Sequence, residues 1–169
     1  MSAKTSLREY QIALSERLQS AEAGARVASK LGVEAGGERW LVDLTEAGEV
    51  IPVPPISPVP LARAWFRGVA NVRGNLYSVS DFAAFLGAAP APASGEARLV
   101  LISETFRSGA ALLVQRSLGL RNAEDLKLQE KSGPRPWVRA HYVDAQGTPW
   151  HELDVPALIQ HHAFLEIGL

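Results

Sequence analysis

The spacing of hydrophobic and polar positions changes after the first two dozen residues of this 169-residue chain. Its first apolar residues recur every three or four positions: Leu7, Tyr10, Leu14, Leu18 and Ala21. This spacing predicts an amphipathic helix over residues 6–23, and Ser6 with Glu9 fits the S-x-x-E capping box at its start. Such an apolar stripe must be buried, either against the core of the protein or against a partner.

Beyond residue 25 the pattern becomes that of short strands. Segments 30–35 and 38–44 flank Gly36 and Gly37, a pair typical of a two-residue hairpin turn. Further strands are predicted at residues 69–72, 76–79, 98–104, 109–115, and on both sides of a turn at Asp144, Gln146 and Gly147. The segment LRNAEDLKLQ fits no single period. Closely spaced strands broken by glycine and proline predict barrels or a sandwich.

The stretch GEVIPVPPISPVP holds five prolines between residues 52 and 60. Proline cannot donate to a strand ladder, so an extended connector after a short strand is expected here. A polyproline ligand for an SH3-type partner is the alternative, but the many valines and isoleucines favour packing.

Two segments of similar plan indicate an internal duplication. YSVSDFAAFLG (77–87) and WHELDVPALIQ (150–160) each read as a strand, an aspartate at the N-cap position, and a short apolar helix. Asp81 and Asp154 are the two predicted caps.

Composition and motifs argue against catalysis. The absence of cysteine excludes thiol nucleophiles, zinc ribbons and disulfides, and the balance of 17 basic and 18 acidic residues does not favour a nucleic-acid binder. No nucleophile elbow, P-loop or dinucleotide-binding motif occurs, and His141 and His151, which could face each other, have no evident third metal ligand. We expect no metal and no cofactor. Without a signal peptide or an apolar run near the ~20 residues that span a bilayer, a soluble intracellular protein is expected.

The segment RGVANVRGNLYSVSDFAAFLG (67–87) reads as strand, tight turn, strand and short helix. Gly74 and Asn75 are expected to supply the positive φ of the turn. Nothing in a surface hairpin requires the cation at Arg73.

This segment resembles the signature of the CheW family of chemotaxis adaptors, in which G-V-x-N-[LV]-R-G leads through a hairpin to P-V-x-D-L. The matching residues are Gly68, Val69, Asn71, Arg73, Gly74, Val79 and Asp81. Glu49 matches the acidic residue that precedes the P-x-P segment of the family. Ser78 replaces the usual proline and Phe82 the usual leucine, both conservative for packing. The similarity covers about residues 25–160. LREYQ, GGERWLVDL and the ending WHELDV…FLEIG resemble, more narrowly, the CheW-type proteins of type IV pilus chemosensory systems.

The resemblance implies a mainly β fold of two small five-stranded, SH3-like or OB-like barrels packed together, with short helices after strands. Residues 1–24 would be an N-terminal amphipathic helix and residues 25–169 the CheW-like domain. The implied function is that of a non-catalytic adaptor between the cytoplasmic tip of a methyl-accepting chemoreceptor and the regulatory domain of a CheA-type histidine kinase. It would be cytoplasmic, recruited to membrane-associated receptor arrays. Twitching motility is the implied output, and flagellar chemotaxis is the alternative. A nucleic-acid-binding barrel and an enzyme with an unrecognised site are alternatives from other classes.

The resemblance also implies roles for single residues. Glu49 and Arg73 are expected to form an ion pair at the receptor-binding surface, above an apolar floor drawn from Val69, Val72, Val42 and Leu44. Gly68, Asn71, Gly74 and Asp81 would be structural residues of the motif. Leu112 to Val114, with the 116–121 loop, are the expected kinase contact.

Overall fold

The computed structural model describes residues 3–130 and 133–169, which form one long helix, two six-stranded sheets and three short helices. Helix α1 (Ala3–Ala28) begins before Ser6, so the predicted capping box is wrong. Every side chain described on this helix, from residue 7 to residue 19, is exposed. The apolar stripe is therefore not buried over that range, and the side chain of Ala21 lies outside the described ones.

Each sheet collects strands from separate parts of the chain. Sheet 1 contains β1 (Ser29–Ala35), β2 (Glu38–Asp43), β9 (Arg116–Asn122), β10 (Leu126–Glu130), β11 (Val138–Asp144) and β12 (Pro149–Leu153). Sheet 2 contains β3 (Ala47–Pro52), β4 (Ile56–Ser57), β5 (Phe66–Val72), β6 (Asn75–Asp81), β7 (Arg98–Ile102) and β8 (Ala110–Val114). The remaining helices are α2 (Phe82–Phe85), α3 (Val155–Gln160) and α4 (His162–Leu165).

The two sheets have the same internal order. Sheet 1 runs β9-β1-β2-β12-β11-β10 and sheet 2 runs β3-β7-β8-β6-β5-β4. One neighbouring pair in each is parallel, β2 with β12 and β8 with β6, and all others are antiparallel. The mainly β fold of two packed units is confirmed. Each unit has six strands rather than five, and a ladder that would close a barrel between its two edge strands is not seen among the described residues.

The duplicated aspartates both cap helices. The Asp81 carboxylate accepts the backbone N–H of Ala84 at 3.1 Å, and the Asp154 carboxylate accepts that of Ala157 at 3.0 Å. Because Asp81 is the last residue of β6 and Asp154 directly follows β12, each cap lies at the end of a strand of the parallel pair. The internal repeat predicted from the sequence is thus present in the fold.

A tryptophan and an arginine extend this repeat. The Asp81 N–H donates to the carbonyl of Trp65, and the Asp154 N–H to that of Trp137, both at 2.7 Å. A bulge in each preceding strand falls at an arginine two residues after the tryptophan, Arg67 in β5 and Arg139 in β11. The two guanidinium groups lie 3.5 Å and 3.4 Å from their cap carboxylates.

Two hydrophobic cores stabilise the fold. The first joins both sheets to the short helices and includes Trp40, Phe82 and Leu158. The second lies within sheet 2 and includes Tyr77 and Leu99. Strand β8 contributes alternate residues to the two cores, which explains its unbroken apolar sequence. Across residues 3–130 and 133–169, no helix has both the length and the hydropathy that crossing a membrane requires.

Candidate functional site

Glu49 and Arg73 meet on an exposed face of sheet 2. The Arg73 guanidinium donates to both carboxylate oxygens, with Nη1–Oε2 at 2.8 Å and Nη2–Oε1 at 2.5 Å. The Arg73 side chain is 69% exposed and that of Glu49 is 42% exposed. The hydrogen bond from Arg73 lowers the pKa of Glu49. The predicted ion pair is present, although Glu49 lies inside β3 rather than at its end.

A strained turn presents Arg73. The two residues between β5 and β6 are Arg73 (φ 50°) and Gly74 (φ 87°), so the positive-φ pair is not the predicted Gly74 and Asn75. The Asn71 side chain accepts the Gly74 N–H at 2.9 Å and holds the turn. Left-handed backbone is unfavourable for any residue with a Cβ, and arginine has no special tolerance for it. The turn geometry alone therefore does not account for an arginine at this position.

Gly68 fixes the hairpin against the proline-rich segment. Its φ is 128°, and a Cβ at this position would lie 2.0 Å from the backbone oxygen of Ser57 in β4. No side chain fits without moving one of the two strands. Gly68, Asn71, Gly74 and Asp81 all have local structural partners, and their role as structural residues of the family motif stays a prediction.

The predicted apolar floor is not assembled as one surface. Val42 is buried in the first core from sheet 1, and Leu44 packs against the same core. Val72 is buried in the second core, and Val69 is only half-buried on β5. Val42 lies on β2 and Leu44 in the turn that follows it, whereas Val69 and Val72 lie on β5, so the four residues come from two separate parts of the fold. The apolar side chain that is exposed next to the turn is Leu76, at 69%.

Leu112 and Val114 are 2% and 1% exposed within the first core. Their burial removes both side chains from any surface, so the prediction of a kinase contact through them is wrong. Residues 116–121 form part of edge strand β9 rather than a loop, and Leu120 there is 65% exposed.

A partly buried ionic network links three parts of the chain and was not predicted. Lys30 Nζ lies 2.5 Å from Glu152 Oε1, and Arg139 reaches Glu46 at 2.5 Å. Burial alone would lower the pKa of Lys30, but its hydrogen bond and attraction to Glu152 raise the pKa above its usual value. These ion pairs cannot be predicted from the sequence, because the two partners of each pair are far apart in the chain.

His141 and His151 face each other across β11 and β12, with their Nδ1 atoms 2.8 Å apart. Burial lowers the pKa of His151. Within the ranges 3–130 and 133–169, no three histidine, aspartate or glutamate side chains are arranged to hold a metal ion.

Comparison with known proteins agrees with this architecture. Residues 30–163 match the CheW-like domain family. The chain is 31% identical over 146 residues to protein PilI of Pseudomonas aeruginosa, an alignment that covers 83% of this chain and 80% of PilI. Its fold resembles the crystal structure of the scaffolding protein TtCheW from Thermoanaerobacter tengcongensis, with a TM-score of 0.67 at 14% identity over 83% of this chain and 97% of TtCheW. This chain belongs to the CheW family.

Proposed function

We propose that this chain is a non-catalytic adaptor that holds the cytoplasmic tip of a methyl-accepting chemoreceptor and the regulatory domain of a CheA-type histidine kinase in one complex. The exposed, doubly hydrogen-bonded pair of Arg73 and Glu49 carries the proposal. A guanidinium fixed by one carboxylate keeps its remaining donors in defined directions. Such a group suits the recognition of polar atoms on a helical receptor tip.

The strain at position 73 supports a role in binding. A turn selected only for stability would place glycine or asparagine at a positive φ. Arginine is enriched at the energetic centres of protein interfaces, and Leu76 offers an exposed apolar contact beside it. The receptor therefore docks on the hairpin of β5 and β6, with Val69 at the margin of the contact.

A bridging assay tests the proposal. Receptor tips displayed on vesicles are mixed with kinase regulatory domain and sedimented, with and without this chain. The kinase fragment is expected to sediment only when the chain is present. Equal sedimentation in its absence, or binding of the chain to only one component, contradicts the adaptor function.

The proposed location is the cytoplasm, at membrane-associated receptor arrays, and the proposed output is type IV pilus twitching motility, because PilI is the relative with 31% identity. Deletion of the gene distinguishes this output from flagellar chemotaxis. Loss of twitching with normal swimming supports the pilus pathway, and the reverse result supports the flagellar one.

A further inference from the structure

A cavity of about 410 Å³ lies at the seam between β9 and β10, the two edge strands of sheet 1. Its walls come from β9, from the turn before β10 and from the hairpin of β11 and β12: Leu120, Arg121, Asn122, Asp125, Gln146 and Trp150 are among them. Strand β9 has a ladder only with β1, and β10 only with β11, within the described chain. The facing edges therefore retain unpaired backbone groups next to a cavity of ligand size.

The seam is the counterpart of the Glu49–Arg73 site. The correspondence follows from the paired residues of the ladders, starting two residues before each cap aspartate. In sheet 2 the pairs lead from Val79 through Ala111 and Leu101 to Glu49. In sheet 1 they lead from Glu152 through Leu41 and Gly32 to Gly119. Glu49 thus corresponds to Gly119. A bulge precedes each of them in the strand, at Gly48 and at Leu118, which supports the alignment.

The two counterparts differ in charge. Glu49 provides the carboxylate that holds Arg73, whereas no heavy atom of a described residue other than its chain neighbours lies within 4 Å of the Cβ position of Gly119. Two residues further, Arg121 is exposed on the cavity wall. The one hydrogen bond of its guanidinium to another described residue is to the Leu118 carbonyl, at 3.1 Å, and the guanidinium forms no ion pair with a described side chain. By the same alignment Arg121 corresponds to Ile51, so sheet 1 has an arginine without a described carboxylate partner where sheet 2 has an apolar residue.

Hydrogen bonds hold the floor of the cavity in place. The Trp150 indole is buried and donates to Asp144 at 3.0 Å, while the guanidinium of Arg121 lies 5.2 Å from the ring centre. Asp144 also accepts the backbone N–H groups of Gln146 and Thr148, and these hydrogen bonds, with that of Trp150, lower its pKa. The Asp144 carboxylate is thus already satisfied, and Arg121 on the wall is the cationic group that can take a ligand.

The edge strands of the two sheets also differ in how readily an added strand can pair with them. Sheet 2 has prolines in and beside its edge strands, at Pro52, Pro54, Pro55 and Pro58, and these residues lack the N–H that pairing requires. Strands β9 and β10 contain no proline. An extended chain can therefore pair with the edge of sheet 1 far more readily than with that of sheet 2.

We propose that the seam between β9 and β10 binds an extended acidic segment of a partner protein, which adds a strand to β9 and places a carboxylate against Arg121. This site is separate from the receptor contact proposed above and does not depend on it. Asp125, an exposed carboxylate on the same cavity, disfavours a second acidic residue beside the first.

The test uses two blocked heptapeptides of alternating valine with glutamate or with lysine, titrated into the ¹⁵N-labelled full chain. The glutamate peptide is expected to shift the amides of β9 and β10 and the Trp150 indole, and to bind at least tenfold more tightly than the lysine peptide. Arg121→Ser should weaken its binding at least tenfold, Arg121→Glu should reverse the preference, and Asp125→Asn should strengthen binding.

Three results would overturn the proposal. They are equal binding of both peptides, no shifts at millimolar peptide, and shifts confined to the hairpin of β5 and β6. The amide signals of sheet 2 serve as the folding control, because a variant in which they are unchanged is folded. Because Arg121 is exposed, these substitutions leave the cores intact.

Discussion

Sheets 1 and 2 share a strand order, a capped helix and a bulged arginine, yet they differ at their seams. Sheet 2 has prolines along its edges and an ion pair between Glu49 and Arg73. Sheet 1 has proline-free edges, a cavity, and Arg121 without a carboxylate among the described residues. The positions that are alike in the two sheets thus maintain the fold, and the positions that differ are free to bind different partners.

The largest effect is expected at Gly68, where the framework of sheet 2 allows no side chain. Gly68→Ala places a Cβ 2.0 Å from the Ser57 oxygen and should lower the free energy of unfolding by about 3 kcal/mol or more. Gly74→Ala is the matched control, because Gly74 also has a positive φ but no heavy atom of a described residue beyond its chain neighbours lies within 4 Å of the new Cβ. This substitution should cost about 1 kcal/mol. Urea denaturation measures both, and equal costs would refute the steric explanation.

The two cap aspartates should differ in their contribution to stability. Asp81 is fully buried and also accepts the Ala91 N–H at 2.9 Å, so Asp81→Ala should cost about 3 kcal/mol. Asp154→Ala removes a partly exposed cap and should cost about 1 kcal/mol. If chemical denaturation shows a larger loss of unfolding free energy for Asp154→Ala than for Asp81→Ala, burial does not determine how much each cap contributes to stability.

Acid should affect sheet 1 through His151, whose counterpart in sheet 2 is Ser78. The pKa of His151 is lowered in the folded state, so the unfolded chain takes up the proton first as the pH falls. Its contribution to stability is complete above about pH 6.5 and declines below that value. In thermal melts from pH 7.5 to pH 5, His151→Gln should show a shallower loss of stability than the unmodified chain. An unchanged or steeper loss would show that another group controls the acid sensitivity.

Glu49 should have the smallest effect on stability. Because the ion pair is exposed, Glu49→Ala should leave the thermal midpoint within about 1 °C. It should nevertheless weaken receptor binding, because Arg73 loses the carboxylate that orients it. Glu34→Ala, which breaks the exposed pair with Arg116 in sheet 1, is the matched control and should leave receptor binding unchanged. A similar loss in both variants would indicate a general charge effect.

Local chemistry made much of the fold predictable. Gly36 and Gly37, with φ of 63° and 75°, form the expected hairpin turn, and Asp81 and Asp154 cap helices as their sequence context indicates. The W-x-R pattern at residues 65–67 and 137–139 is a further sign of duplication in the sequence. Its two copies are recognised as equivalent once the strands of the two sheets are aligned.

The site was less predictable. The alternation of apolar and polar residues shows which face of a strand is buried, but it does not show against which of the two cores that face packs. The resemblance placed Val42 and Val72 together in the apolar floor of the receptor site, but the two side chains enter different cores. The run that includes Leu112 indicated a strand without revealing that both of its faces are covered. Residues 120–129 lacked a clear period because they form two edge strands and the turn between them.

The central claim is that Arg73 serves docking rather than folding. The most direct measurement titrates the receptor tip into the unmodified chain and into Arg73→Ala by calorimetry, alongside the thermal midpoint of each. Binding at least tenfold weaker with an unchanged midpoint is the predicted result. Unchanged affinity, or an affinity that falls only together with the midpoint, would contradict the claim.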